Sequence, residues 1–177
     1  MTREATETPA FRALQDALKA LHSRETIRVR AGHADLGPGL WLSCDPESRA
    51  EMACLPQGDG FRLTLVEGDS GLWNCLGMQL PAEILADGRY AGLLIEAVPE
   101  AMAAFTPILR YRLRRGGHQD AAFPQPVLLP AGPRSEMVHL PLDADLLERS
   151  ESCELNLFFH MDRMDLKITG LEPLLLS

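Results

Sequence analysis

The sequence predicts a mainly β protein: an antiparallel β-sandwich with one amphipathic α-helix at its N-terminal end. Three observations predict it. After Ser23, apolar residues recur in short runs with a period of two instead of 3.6. Turn sequences such as Gly37-Pro38-Gly39 separate these runs. The 14 Gly and 13 Pro among 177 residues also suit a chain of short strands better than a helical bundle.

The one clear helix signal lies near the start of the chain. Thr8 can cap a helix that begins at Pro9. Four apolar residues then fall on one helical face: Phe11, Leu14, Leu18 and Leu21. We therefore expect an amphipathic helix over residues 9–22, within an N-terminal helical appendage of residues 1–24. Its apolar face has two interpretations, packing on its own domain or docking of a protein partner or a second copy.

Residues 25–177 are predicted to form a single β-sandwich domain. The expected strands, in order, are 26–30, 40–44, 51–55, 61–66, 73–79, 90–97, 108–113, 127–129, 137–142, 153–160 and 165–176. This many short strands at such spacing are typical of a sandwich or barrel. Alternation assigns to the core Leu63, Leu65, Leu93, Ile95, Leu155, Leu157 and Ile168.

Charge and hydropathy restrict the partners. The 17 Lys and Arg against 25 Asp and Glu give a net charge of −8, which argues against nucleic acid because phosphate binding requires an excess of basic side chains. No apolar run approaches the roughly 18 residues of a membrane span. The polar, acidic start lacks the features of a secretory signal peptide. We expect a soluble, cytoplasmic protein with no nucleic-acid or membrane partner.

The sequence lacks the common motifs of catalysis and cofactor binding. It contains no P-loop, no G-x-G-x-x-G and no G-x-S-x-G. The five His and four Cys lack metal-ligand spacing, so no metal and no cofactor are expected and the thiols should be free. A glycosidase needs two carboxylates facing each other across a cleft, and Glu96 with Glu154 is the only pair we nominate. We expect a protein that is not an enzyme.

Three of the predicted strands carry polar side chains opposite an apolar face. That second face carries Tyr90, Glu96, Arg110, Arg112, Asn156, Phe158 and His160. If the strands belong to one sheet, this mixture suits a polyhydroxylated ligand, since planar polar groups bind paired hydroxyls and an aromatic ring covers the apolar face of a sugar. The alternative is a solvated face on which Glu96 and Glu154 pair with the arginines.

Two arginines at positions i and i+2 of one strand indicate which ligand this candidate face would bind. Arg110 and Arg112 project from the same side of their strand, where each guanidinium can donate paired hydrogen bonds to hydroxyls or to a carboxylate. Such a face would be locally positive on a protein that is negative overall. An acidic sugar is therefore the natural ligand candidate.

The order of several motifs resembles a known group of domains. Trp73-x-x-x-Gly77 precedes a strand opened by Asp87-Gly88-Arg89-Tyr90, and the closing strand contains Ile168 and Leu171. Over about residues 60 to 176 this order resembles the jelly-roll sandwiches of carbohydrate-binding modules and galactose-binding-like domains. The resemblance implies a jelly roll of two antiparallel sheets and, in many members, glycan binding on the concave face or at the loop tips.

These observations lead to two function hypotheses. The first is a non-catalytic protein that binds a carbohydrate, either a glycan or an acidic sugar, in the handling of a bacterial-type surface polysaccharide. The second is a protein-interaction or oligomerisation β-sandwich with no small-molecule ligand.

Overall fold

The computed structural model describes residues 9–66 and 73–176, with side chains from residue 12 onward. Thr8 and the side chain of Phe11, which belong to the predicted cap and helix face, lie outside the described residues. Within those residues the elements are, in order, α1 (Pro9–Ala20), β1 (Ile27–Val29), β2 (Gly32–Gly37), β3 (Leu40–Cys44), β4 (Glu51–Pro56), β5 (Phe61–Val66), β6 (Asn74–Leu80), α2 (Ala82–Leu85), β7 (Tyr90–Pro99), β8 (Ala103–Leu113), β9 (His118–Ala122), β10 (Val127–Leu129), β11 (Arg134–Pro141), α3 (Ala144–Arg149), β12 (Ser150–Phe159) and β13 (Met164–Leu176).

The strands form two antiparallel sheets. The six-stranded sheet has the order β1-β4-β5-β13-β7-β11. The seven-stranded sheet has the order β10-β8-β12-β6-β3-β2, with β9 also paired to β8. This arrangement confirms the predicted mainly β sandwich, and the strands at 40–44, 61–66 and 127–129 have the predicted bounds.

The core lies between the two sheets. All seven residues that alternation assigned to it are buried, with at most 2% of any of them exposed. Fully enclosed Tyr111 and Phe105 of β8 are among its largest side chains. Because inward positions alternate with outward ones along each strand, burial of this set fixes which side chains each sheet turns to its outer face.

Helix α1 packs on the same core. Leu14, Leu18 and Leu21 are buried, which agrees with the first interpretation of its apolar face. The helix ends two residues before the predicted end because the N–H groups of Leu21 and His22 bond three residues back, which tightens the chain into a turn. A role for this helix in docking a partner, and the division into residues 1–24 and 25–177, stay predictions.

Two strands and two short helices are absent from the sequence-based prediction. β2 begins and ends at glycine, and β9 is a mostly exposed polar strand held by pairing with β8. In α3, the Asp143 side chain caps the helix by accepting a hydrogen bond from the N–H of Leu146. No helix among the described residues is long and apolar enough to cross a membrane. The cytoplasmic location stays a prediction.

Candidate ligand-binding cleft

A cleft lies on the outer face of the seven-stranded sheet, across the neighbouring strands β8, β12, β6, β3 and β2. Its volume is about 460 Å³. Ten residues line it: His33, Trp41, Ser43, Trp73, Cys75, Arg110, Arg112, Glu154, Asn156 and Phe158. Most of them are the outward members of strands whose inward members, such as Leu42, Leu109 and Leu155, are fully buried. The alternation that builds the core therefore also builds the cleft.

The indole of Trp41 lies directly over Gly77. The two residues are direct cross-strand partners, and Asn156 is the partner of Gly77 on the other side. A Cβ atom at Gly77 would lie 2.1 to 2.4 Å from three atoms of the indole. Glycine is therefore required here for the ring to approach the sheet this closely. Trp41 is only partly buried, so the rest of the ring borders the cleft.

Asn156 lines the cleft and carries a buried amide nitrogen that makes no hydrogen bond within the part of the chain that the structure describes. The residue is 4% exposed, and its amide nitrogen Nδ2 has no hydrogen-bond partner among the described residues. Its Oδ1 accepts a weak hydrogen bond from the Cys75 thiol at 3.8 Å. Leaving a buried polar group without a partner costs about 1–3 kcal/mol. A ligand with a hydroxyl acceptor in the cleft would remove that cost.

Both arginines of the cleft are ion-paired. Arg110 donates two hydrogen bonds to the Asp120 carboxylate, at 2.7 and 2.8 Å, and Arg112 Nε donates to Glu154 Oε1 at 2.6 Å. The hydrogen bonds from Arg110 lower the pKa of Asp120, and the same contact raises the pKa of Arg110. The predicted locally positive face is wrong, because a carboxylate lies against each guanidinium. The alternative of cross-strand ion pairs holds for Glu154, whose partner is Arg112.

The far end of the cleft is held by hydrogen bonds of His33. Its Nδ1 lies 3.3 Å from Ser43 Oγ, and its Nε2 lies 3.0 Å from Asp35 Oδ1. The imidazole lies 5.9 Å from the Trp41 ring, tilted by 35°. At the floor, burial raises the pKa of the Cys75 thiol to about 12, so this sulfur stays neutral and is not a nucleophile at neutral pH.

Of the seven predicted ligand-binding residues, the cleft brings together four: Arg110, Arg112, Asn156 and Phe158. His160 follows β12 and does not line the cleft; its Nε2 lies 2.6 Å from Thr106 Oγ1. Tyr90 and Glu96 belong to β7 in the six-stranded sheet, so the prediction that they share a face with the arginines is wrong. The reason is that the chain crosses from one sheet to the other between β7 and β8.

The same crossing corrects the nominated carboxylate pair. Glu96 is on the outer side of the six-stranded sheet, whereas Glu154 lines the cleft on the opposite side of the sandwich. They cannot flank one glycosidic bond. No group of three or more His, Cys, Asp or Glu side chains among residues 9–66 and 73–176 is placed to hold a metal ion.

Sequence reasoning missed several lining residues, and some of them had a detectable signal. In β3, inward Leu40, Leu42 and Cys44 leave Trp41 and Ser43 on the outer face. Trp73 stands directly before β6, where its carbonyl oxygen accepts a hydrogen bond from the N–H of Asp45. His33 had no usable signal because β2 was not predicted.

No protein-family model matches the chain, and no curated protein matches its sequence. Solved structures do match it. The CBM22-1 xylan-binding domain from Paenibacillus barcinonensis Xyn10C is 11% identical with a TM-score of 0.52, over 86% of this chain and 93% of that one. The CBM22-2 xylan-binding domain of the same protein is 10% identical, with a TM-score of 0.50 over 72% and 91%. A CBM4 structure is 12% identical, with a TM-score of 0.50 over 72% and 78%.

The chain shares the jelly-roll sandwich fold of these solved domains. At this level of identity the likeness establishes the fold, and it confirms the fold that the motif order implied.

Proposed function

We propose that this protein binds a carbohydrate in the cleft of the seven-stranded sheet and does not alter it chemically. Two of the structurally similar domains are described as xylan-binding, and they share the fold. The lining supplies the two kinds of contact that a sugar needs. Trp41, Trp73 and Phe158 offer aromatic surface, while side chains of Asn156 and Arg112 offer hydrogen-bond donors.

One observation carries the proposal: Trp41, with its partly exposed indole, and Asn156, with its unpartnered amide nitrogen, are the two cross-strand partners of Gly77 and both line the cleft. An aromatic ring next to a donor matches a pyranose, which has an apolar face bordered by hydroxyls. The unmade hydrogen bond of the buried amide nitrogen lowers the stability of the free protein, and the exposed part of the indole adds nothing to it. A bound sugar satisfies both.

Two carboxylates at the cleft arginines support a role without catalysis. Glu154 is hydrogen-bonded to Arg112, and Asp120 is held by two hydrogen bonds from Arg110. The hydrogen bonds from Arg110 lower the pKa of Asp120, whereas a general acid must hold a proton near neutral pH. Arg112 uses Nε for Glu154, which leaves its two Nη groups to donate to sugar hydroxyls.

Calorimetric titration of the whole chain with xylohexaose, cellohexaose and mannohexaose tests the proposal. We expect binding of at least one of them and an affinity loss of about tenfold or more in Trp41→Ala, in which the stacking surface is gone. Tyr90→Ala is the matched control, because it removes an aromatic ring from the opposite sheet and should leave binding unchanged. Thermal melting of both variants checks that they are folded.

Three results would contradict the proposal. The first is no heat of binding with any of the three sugars, which would favour the protein-interaction hypothesis. The second is sugar binding that Trp41→Ala leaves intact, which would place the binding site elsewhere. Release of reducing ends during prolonged incubation would show that the protein is an enzyme.

A further inference from the structure

The ionic groups of the cleft form matched pairs. Arg110 is paired with Asp120 and Arg112 with Glu154, so each positive charge in the lining has a carboxylate within 2.7 Å. A further carboxylate, Asp35, lies 3.0 Å from the His33 ring. The chain as a whole carries a net charge of −8. An anionic ligand would thus meet neutralised guanidinium groups on a negatively charged protein.

Asp120 of β9 is not one of the ten lining residues, but it contacts Arg110, which is. This strand pairs with β8 so that Asp120 is the direct cross-strand partner of Arg110. The carboxylate accepts hydrogen bonds from both Nε and Nη2, which is the paired geometry that a uronic acid carboxylate would use. Asp120 therefore occupies the position that an acidic sugar would need at this arginine.

We infer that Asp120 determines specificity: by occupying Arg110, it makes the cleft select uncharged glycans over acidic ones. This inference rests on the proposed function. It also replaces the expectation of an acidic ligand, which assumed that the arginines were free to bind a carboxylate. A uronate entering the cleft must displace Asp120 or Glu154 and leave that carboxylate without its cation, whereas a neutral hydroxyl can bind the remaining donors without breaking either pair.

The test compares wild type with Asp120→Asn and with Asp59→Asn. Asp59 is paired with Lys167 at 2.8 Å and lies outside the cleft, so both variants lose one negative charge and only one of them frees Arg110. Each protein is titrated with the three neutral hexasaccharides and with hexagalacturonate. We expect wild type to bind its best neutral sugar about tenfold or more tightly than hexagalacturonate.

In Asp120→Asn, the affinity for hexagalacturonate should rise by about tenfold at low salt, while the affinity for the neutral sugar changes by less than about twofold. Asp59→Asn should change neither. The gain should disappear at about 1 M salt, where the Debye length falls to about 3 Å. In wild type, neutral-sugar affinity should stay constant over the same salt range, and this measurement needs no variant.

The outcomes separate this inference from the proposed function. Wild type that binds hexagalacturonate as tightly as a neutral sugar, or an Asp120→Asn variant without a gain, overturns the specificity role while carbohydrate binding stands. A salt-sensitive neutral affinity in wild type overturns it as well. If wild type binds none of the four sugars, the proposed function fails, and the specificity role fails with it.

Discussion

The outer faces of the two sheets carry similar residues and differ in what those residues form. Each face has an aromatic side chain, a carboxylate and a glycine in a strand with a neighbour on both sides. These are Trp41, Glu154 and Gly77 on the seven-stranded sheet, and Tyr90, Glu96 and Gly92 on the six-stranded sheet. On the first face they surround a cleft. On the second, Tyr90 packs edge-on against His139, with ring centroids 5.5 Å apart, and Glu96 is exposed. Similar residue types therefore form a cleft only where side chains from several neighbouring strands come together.

The largest effect is expected beneath the two faces, in the core that they share. Leu157 is fully buried, so Leu157→Ala should lower the free energy of unfolding by about 2–5 kcal/mol through lost burial and the cavity left behind. Leu128→Ala is the control. Because this leucine is 55% exposed, its substitution should lower the free energy of unfolding by less than about 0.5 kcal/mol. Urea unfolding measures both. A loss below about 1 kcal/mol for Leu157→Ala would mean that the inward and outward faces of β12 are reversed.

The two glycines give the sharpest comparison of the outer faces. In Gly77→Ala the new methyl group would lie 2.1 Å from the Trp41 indole, so the ring must move. We expect the free energy of unfolding to fall by about 1–3 kcal/mol and sugar binding to be lost. In Gly92→Ala the nearest atom is the Cβ of Leu174 at 3.2 Å, which a small shift accommodates. Tryptophan fluorescence should change in the first variant only. Equal effects of the two variants on binding would show that the indole position does not matter.

Each sheet also has an ion-paired arginine on its outer face, Arg112 on the seven-stranded sheet and Arg28 on the six-stranded sheet. Arg112→Ala should weaken sugar binding by about tenfold, because the donors nearest Glu154 disappear from the cleft. The free energy of unfolding of this variant should fall by less than about 1 kcal/mol, since the Arg112–Glu154 ion pair is partly solvated. Arg28→Ala removes an arginine that is paired with Glu51 on the six-stranded sheet and should leave binding unchanged. A strong loss of stability in Arg112→Ala, without any sugar binding in wild type, would make the arginine structural.

The sequence supports the fold more fully than the site for a physical reason. Alternation reports whether a side chain points into the sandwich, and it assigned Leu93, Ile95, Leu155 and Leu157 correctly. It does not report which sheet a strand joins, because both sheets bury one face against the same core. Tyr90 and Glu96 were therefore placed beside the arginines, although their strand lies in the other sheet.

Other parts of the site depended on contacts that local patterns do not encode. Asp120 lies in an exposed polar strand that has no buried face and is held by pairing with β8, so its local sequence does not predict a strand. Trp41, by contrast, could have been found, since its neighbours Leu40 and Leu42 are inward and the same alternation leaves it outward. On strands with a buried face, the sequence predicts which side chains point outward. It does not predict residues such as Asp120 that come from an exposed edge strand.

The smallest expected effect is a pH dependence of stability that involves both faces. The hydrogen bonds from Arg110 hold the pKa of Asp120 below its ordinary value of about 4, so the folded protein binds this proton more weakly than the unfolded chain does. The stabilisation is therefore complete above about pH 4 and is lost as the pH falls through the lower folded pKa. Because solvent screens the pair, the full effect should be less than about 1 kcal/mol.

Urea unfolding of wild type and Asp120→Asn between neutral pH and pH 3 measures this effect. Their difference in stability should be constant down to about pH 5 and shrink below about pH 4. Glu51, whose pKa is lowered by hydrogen bonds from Arg30 and Arg28, is the counterpart on the six-stranded sheet, and Glu51→Gln should follow the same trend. Of these two variants, only Asp120→Asn should also change which sugars bind, since Glu51 is paired with arginines that do not line the cleft. A stability difference that grows on acidification would show that the Arg110–Asp120 pair does not favour the charged carboxylate.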